Sequence, residues 1–122
     1  MPIISILDSV KKSIGIDKEY AAFDPDIIMH INSVLATLNQ LGVGPESGFS
    51  IEDSSATWNE LIGDDPRYNS VKTYVFLKVR TLFDPPTASH LMTAMNEQIR
   101  EFEWRIQTLR EEDKWQSSTK TT

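Results

Sequence analysis

The sequence predicts an all-α fold, a small helical bundle of about five helices with a long C-terminal helix and a long acidic loop. Apolar residues recur at steps of three and four along most of the chain, the spacing of one helical face. Glycine and proline residues separate these stretches. The chain has 122 residues and no cysteine, so we expect one hydrophobic core that holds without disulfides.

The first two helices have clear apolar stripes. The first is predicted over about residues 3–14, with Gly15 as its stop. Its stripe consists of Ile3, Leu7, Val10 and Ile14, with Ile6 beside it. The second begins with Asp24 as N-cap and Pro25 at the first helical position, and Gly42 ends it. Its broad stripe predicts a core helix and consists of Ile27, Ile28, Ile31, Val34, Leu35, Leu38 and Leu41.

Residues 43–57 interrupt the helical pattern and predict a long loop. A loop of this length in a compact domain is usually functional or mobile. Residues 43–66 contain six acidic residues and no lysine or arginine, so they account for the formal net charge of −6. A short third helix is predicted over about residues 55–62, with Trp58 and Leu61 on its apolar side.

The last two helices are predicted to form a hairpin. The fourth runs from about Pro66 to Phe83, and Asp84-Pro85-Pro86 halts it because a residue before proline avoids helical angles. The fifth covers about residues 87–113. Its apolar residues form a heptad seam, which needs a helical partner. The seam consists of Ala88, Met92, Met95, Ile99, Phe102, Ile106 and Leu109.

We expect part of this seam to extend beyond the partners that a single molecule supplies. Residues 1–113 are the predicted folded domain, and residues 114–122 are a predicted flexible tail. Trp104 lies between two seam residues and points away from the seam, so burial in the core and contact with a neighbouring subunit both stay open. Tryptophan and arginine dominate binding hot spots. The candidate contacts with a sister subunit or a portal are Phe102, Trp104, Arg105, Leu109 and Trp115.

The sequence contains no recognisable catalytic or metal-binding motif, so we expect no enzyme, no cofactor and no metal site. A glycine-rich phosphate loop, a zinc-protease helix, a calcium loop and a nucleophile elbow are all missing. His30 and His90 fall on different helices, where we expect ordinary boundary or surface residues. The longest apolar runs are only a few residues, so no membrane contact is expected.

Residues 74–86 end in Phe83-Asp84-Pro85-Pro86, and the next helix carries Glu103-Trp104-Arg105. These two stretches resemble the head–tail connector family of tailed bacteriophages. The order of the parts is also similar to this family. A short N-terminal helix, a helix led by Asp-Pro-Asp and an acidic loop with a Trp-x-x-Leu-Ile segment precede a helical hairpin. The resemblance covers most of residues 3–110.

The resemblance implies a small α-helical adaptor without a catalytic site. Such adaptors assemble as a ring beneath the portal after DNA packaging and provide the platform for the next tail-completion protein. The implied partners are therefore sister copies, the portal and a downstream tail-completion protein. The implied location is the virion, with the host cytoplasm during assembly. The Asp84-Pro85-Pro86 turn would fix the hairpin, and DNA would pass an acidic channel without sequence-specific binding.

Two other classes of function stay open from the residues alone. One is a small helical interaction or regulatory module that binds a partner helix in a groove. The other is a DNA-binding regulator that uses the third and fourth helices as a helix-turn-helix. The candidate recognition helix is apolar, and the residues that lead into it are acidic. Both features count against this second class, since nucleic-acid affinity comes mainly from clustered lysine and arginine.

Overall fold

The predicted all-α bundle is confirmed in the computed structural model, which describes the backbone of residues 4–120 and the side chains of residues 4–113. Within these residues the chain forms five α-helices and one 3-10 turn, and no β-sheet. The helices are α1 (Ile6–Ser13), α2 (Asp24–Gln40), α3 (Trp58–Ile62), α4 (Asn69–Phe83) and α5 (Ser89–Lys120). The 3-10 turn, Pro66–Tyr68, leads directly into α4.

α4 is the central helix of the bundle. It packs against α2 and α5 and also touches α1. Among the described residues, α5 packs much more against α4 than against any other helix. α4 is therefore the helix that joins the α1–α2 pair to α5, and Arg110 of α5 also lies beside Gly42 at the end of α2. The core side chains of α4 are Val71, Tyr74, Val75 and Val79.

α1 begins later than the sequence predicts. The Ser5 side chain caps its first turn, which satisfies a backbone N–H that the helix leaves without a partner. The Trp58 N–H donates to the Ile4 carbonyl at 3.1 Å, so the residues before α1 pair with the residues before α3. Ile3, the first residue of the predicted stripe, lies outside the described residues.

Asp24 is not the N-cap of α2, because Phe23 occupies that position and no side chain caps the helix. The Asp24 carboxylate instead lies 2.8 Å from the Lys11 ammonium in an ion pair whose geometry does not qualify as a hydrogen bond. The same ammonium donates to the carbonyls of Lys18 at 2.9 Å and Tyr20 at 2.7 Å. Lys11 is fully buried. A buried charge is costly unless it is paired, so this network fixes the connection between α1 and α2.

The loop between α2 and α3 is anchored at its centre. The Asn32 side chain of α2 donates to the Ile51 carbonyl at 3.0 Å and accepts from the Ile51 N–H at 2.7 Å. Ile51 and Val43 both belong to the core. The loop carboxylates Glu46 and Glu52 are exposed. The long acidic loop is present, with an anchor to α2 that no sequence pattern indicated.

α3 is shorter than predicted because a capping box fixes its start. The Thr57 hydroxyl accepts from the Glu60 N–H, and the Glu60 carboxylate accepts from the Thr57 N–H. Trp58 follows at once and is buried, and its indole N–H donates to the Ser9 hydroxyl of α1 at 2.8 Å. This contact and the pairing at Ile4 hold α3 against α1.

α4 and α5 form the predicted antiparallel hairpin. The Tyr74 hydroxyl donates to the Glu103 carboxylate at 2.7 Å, and the Tyr68 hydroxyl donates to the Asp113 carboxylate. All the predicted seam residues are buried or half-buried, so the expectation that this seam extends beyond its partners in one molecule is wrong. The seam fails to protrude because α4, with the 3-10 turn before it, runs alongside α5 up to Asp113.

The part of α5 that extends beyond its partner is its C-terminal end. α5 has 32 residues and α4 has 15, lengths of about 48 Å and 22 Å at the rise of an α-helix. The helix continues through Lys120, whereas the last contact with the 3-10 turn among the side chains of residues 4–113 is at Asp113. The side chains of the predicted tail, residues 114–122, lie outside the described residues.

Candidate assembly surfaces

Trp104 is an outward-facing tryptophan on α5. It is 66% exposed, whereas Ile106 is fully buried and Glu103 reaches Tyr74 in the centre of the hairpin. Successive residues of an α-helix point about 100° apart, so this rotation of α5 turns Trp104 away from α4. Of the two interpretations that the sequence left open, burial in the core is excluded.

A shallow groove of about 350 Å³ lies beside Trp104, between α5 and the start of α4. We call its lining the Trp104 surface, which consists of Arg67, Ser70, Trp104, Arg105, Thr108, Leu109 and Glu112. Arg67 pairs with Asp65 at 2.7 Å and with Asp113 at 3.1 Å. The hydrogen bond from Arg67 lowers the pKa of Asp65 below its ordinary value. These ion pairs hold one positive edge of the groove in place.

The other positive edge of the Trp104 surface is Arg105. It pairs with Glu101 at 2.5 Å, one turn earlier on the same helix face. Both side chains of this pair are exposed, so the pair contributes little to stability. The Arg105 guanidinium also lies 6.0 Å from the centre of the Phe102 ring. The Arg105 side chain is 58% exposed, so a neighbouring molecule can reach it in addition to these contacts.

The structure brings three of the five candidate contacts together. Trp104, Arg105 and Leu109 line one groove. Phe102 is half-buried and packs against the core, so it supports the surface from below. The side chain of Trp115 lies outside the described residues.

The predicted turn at Asp84-Pro85-Pro86 lies between α4 and α5. The Asp84 N–H donates to the Arg80 carbonyl at 2.8 Å, and the chain then leaves the helical conformation. The end of α4 carries Phe83, whose ring lies 5.5 Å from that of Phe23 and 6.4 Å from that of His30. The turn therefore places the end of α4 over the start of α2.

A second groove, of about 480 Å³, lies in the α1–α2 layer. We call it the α1–α2 groove, and its lining consists of Leu7, Asp8, Lys18, Asp24, Pro25, Ile28, Glu52, Asp53 and Ser54. Apolar side chains from α1 and α2 meet carboxylates from α1, α2 and the loop there. Of these, Asp8, Glu52 and Asp53 take part in no ion pair within residues 4–113. Hydrogen bonds from Ser55 lower the pKa of Asp53, which keeps its carboxylate charged.

Sequence reasoning did not identify the α1–α2 groove, because three distant segments form it. The position of Lys11 in the sequence is one signal that could have indicated this groove. It follows Leu7 by four residues and precedes Ile14 by three, so it occupies the apolar face of α1, where a lysine needs a partner. That partner is Asp24, which lines the groove, and the pair brings the start of α2 to α1.

No site for metal or catalytic chemistry emerges from the residues that the structure describes. No cluster of three or more histidine, cysteine, aspartate or glutamate side chains converges there. His30 is half-buried beside Phe83, and His90 is exposed on α5. No helix in this part of the chain is long and apolar enough to cross a membrane. The expected lack of a cofactor and of an enzymatic activity stays a prediction.

The comparison with protein families matches residues 6–113 to the family described as phage connector protein. The matched region contains all five helices as far as Asp113, and both grooves. Comparisons with curated proteins and with solved structures gave no match. The family is one of structural virion proteins, and the resemblance noted in residues 74–86 is confirmed. The chain belongs to the phage connector protein family.

Proposed function

We propose that this protein is a head–tail connector that assembles as a ring of identical copies beneath the portal and joins the DNA-filled head to the tail. Membership of the connector family supports the general role. The observation that carries the ring assembly is the Trp104 surface. An exposed tryptophan between two arginines is the composition of a binding hot spot rather than of an ordinary solvated helix face.

The fold supports a role in assembly because it presents α5 as an outer layer. α5 packs mainly on α4, so its other faces are open to further molecules. Its last residues, 114–120, continue beyond the hairpin. We propose that the Trp104 surface contacts a sister copy and that the protruding end of α5 contacts the portal or the downstream tail-completion protein.

The charge distribution is compatible with DNA that passes through the ring without being held. The carboxylates of Glu46, Glu52 and Asp53 in the loop and of Asp64 after α3 are exposed, and residues 43–66 contain no lysine or arginine. Like charges repel the phosphate backbone. We propose that some of these carboxylates line the channel, in the virion and in rings formed in the host cytoplasm during assembly.

The helix-turn-helix alternative is disfavoured by the position of α4. Its candidate recognition helix is the central helix of the bundle, and its exposed side chains are only Asn69, Thr73, Arg80 and Leu82. A recognition helix needs an open polar face that enters the major groove. The general interaction module has no observation that favours it over the connector.

Deletion of the gene from its phage tests the proposed function. We expect DNA-filled heads and free tails to accumulate, and addition of the purified protein to the lysate to produce tailed, infectious particles. Electron microscopy and the infectious titre measure both results. Tailed particles of normal titre without the gene, or heads that never fill with DNA, would overturn the proposal.

A further inference from the structure

We propose that neighbouring copies join head to tail, with the Trp104 surface of one copy seated in the α1–α2 groove of the next. This inference rests on the proposed ring and names the two surfaces that form it. The occupant of the groove is thus a second copy of this chain.

The first argument is the position of the two surfaces. The Trp104 surface is formed by α5 with the start of α4, and the α1–α2 groove is formed by α1, α2 and the loop. α4 contacts α5 as well as α1 and α2. Two different surfaces built from different elements of one molecule suit a heterologous contact, which repeats from copy to copy and gives a ring where its rotation closes.

The second argument is charge. The lining of the Trp104 surface carries two arginines against one glutamate, Glu112. Both arginines also pair with carboxylates of their own chain, in contacts exposed enough to be exchanged for a neighbour's carboxylates. The lining of the α1–α2 groove carries four carboxylates against one lysine, Lys18. Asp8, Glu52 and Asp53 have no ion-pair partner within residues 4–113, so an arginine from a neighbour would relieve their mutual repulsion.

The third argument is the fit of apolar groups. The groove of about 480 Å³ has Leu7, Pro25 and Ile28 among its lining residues, which offer contacts for a large ring. The indole of Trp104 is apolar over most of its surface and carries one N–H donor at its edge. An apolar floor with carboxylates beside it provides both a packing surface and acceptors for that group.

Symmetric pairing of either surface with itself is disfavoured by the same charges. Two Trp104 surfaces face to face would bring Arg67 and Arg105 of both copies together. Two α1–α2 grooves face to face would bring their carboxylates together. Like charges that face each other across an interface oppose association. The pairing of unlike surfaces is therefore favoured over both symmetric dimers.

Directed cross-linking tests this pairing, and the chain suits the method because it has no cysteine. Ser54→Cys places a thiol in the groove, and Thr108→Cys places one on the Trp104 surface without removing Trp104. The two variants are mixed and oxidised, in free solution and on the purified portal. We expect a disulfide-linked dimer from the mixture and little dimer from either variant alone.

Three further samples make the result specific. Thr93→Cys, exposed on α5 outside the groove, replaces Thr108→Cys as a matched control and should give little dimer with Ser54→Cys. Arg105→Glu in the Thr108→Cys chain should lower the yield about tenfold, since it opposes like charges. Asp53→Lys in the Ser54→Cys chain should then restore much of it.

The proposal is wrong if the mixture gives no more dimer than the Thr93→Cys control under both conditions, or if Thr108→Cys alone gives the main product. Light scattering and electron microscopy of unmodified protein, free and on the portal, report ring formation separately. Rings without the 54–108 cross-link would refute these two surfaces and leave the connector function intact. A chain that neither forms rings nor cross-links would refute both.

Discussion

Tyr74 and Glu103 join the centre of α4 to the centre of α5 through a hydrogen bond of 2.7 Å between the hydroxyl and the carboxylate. Tyr74 is fully buried. Because Trp104 follows Glu103 directly, the bond that turns Glu103 inward also turns Trp104 outward. A contact within the fold therefore sets the orientation of the residue that we propose for assembly.

Tyr74→Phe should lower the free energy of unfolding by about 1–2 kcal/mol, because it removes a buried hydrogen bond to a charged group and keeps the ring in place. Urea unfolding followed by circular dichroism measures this loss. Tyr20→Phe is the matched control, since Tyr20 is exposed, and it should change stability little. Equal effects of the two variants would contradict the role given to the Tyr74 hydroxyl.

The stability of the protein should fall in alkaline solution. Burial, with the hydrogen bond to a carboxylate, raises the pKa of both Tyr68 and Tyr74 above the ordinary value. The folded state thus favours the neutral hydroxyls. Their contribution is present below the unfolded tyrosine pKa of about 10 and is lost as the pH rises above it. Urea unfolding between about pH 8 and 11 should show this loss, and Tyr74→Phe should reduce it; an unchanged pH profile in that variant would contradict the assignment.

Lys11→Ala should destabilise the fold by about 2–4 kcal/mol, less than for a fully buried pair because Asp24 is partly exposed. The change leaves that carboxylate without its ion-pair partner and the carbonyls of Lys18 and Tyr20 without their donor. Lys12→Ala alters an exposed lysine on the same helix and should cost much less. The midpoint of urea unfolding compares the two. A Lys12→Ala effect as large as that of Lys11→Ala would count against the buried network.

Asn32→Ala should release the acidic loop from α2 and cost about 1–3 kcal/mol, because it removes both hydrogen bonds to Ile51. Hydrogen exchange should accelerate at the Ile51 amide. Asn39→Ala removes an exposed hydrogen bond to Pro45 in the same loop and should have a smaller effect. Exchange at Ile51 that stays at the wild-type rate in Asn32→Ala would show that the loop is held by other contacts.

Helix positions and the α4–α5 hairpin could be predicted from the sequence because their causes are local. The apolar period gave the core faces, and proline at residues 85 and 86 gave the turn. The outward orientation of Trp104 also followed from spacing, since it lies two residues from both Phe102 and Ile106 of the seam. Its exposure did not, because that depends on whether a distant segment covers it.

The contacts that sequence reasoning missed join residues far apart in the chain. Asn32 bonds to Ile51 through a side-chain amide that carries no periodic signal. Asp24 has the sequence context of an N-cap, and only the position of Lys11 in space makes it an ion-pair partner instead. The α1–α2 groove depends on both contacts, so it could not be predicted before the fold was known.

The mass of the complex formed with the purified portal tests the central claim most directly. Wild-type protein should add a fixed number of copies to each portal, and Trp104→Ala should add few or none at the same concentration. The variant should keep the wild-type helical circular dichroism and melting temperature, because Trp104 is outside the core. Normal loading of Trp104→Ala onto the portal, or loss of its fold, would contradict the claim that this tryptophan faces outward to build the ring.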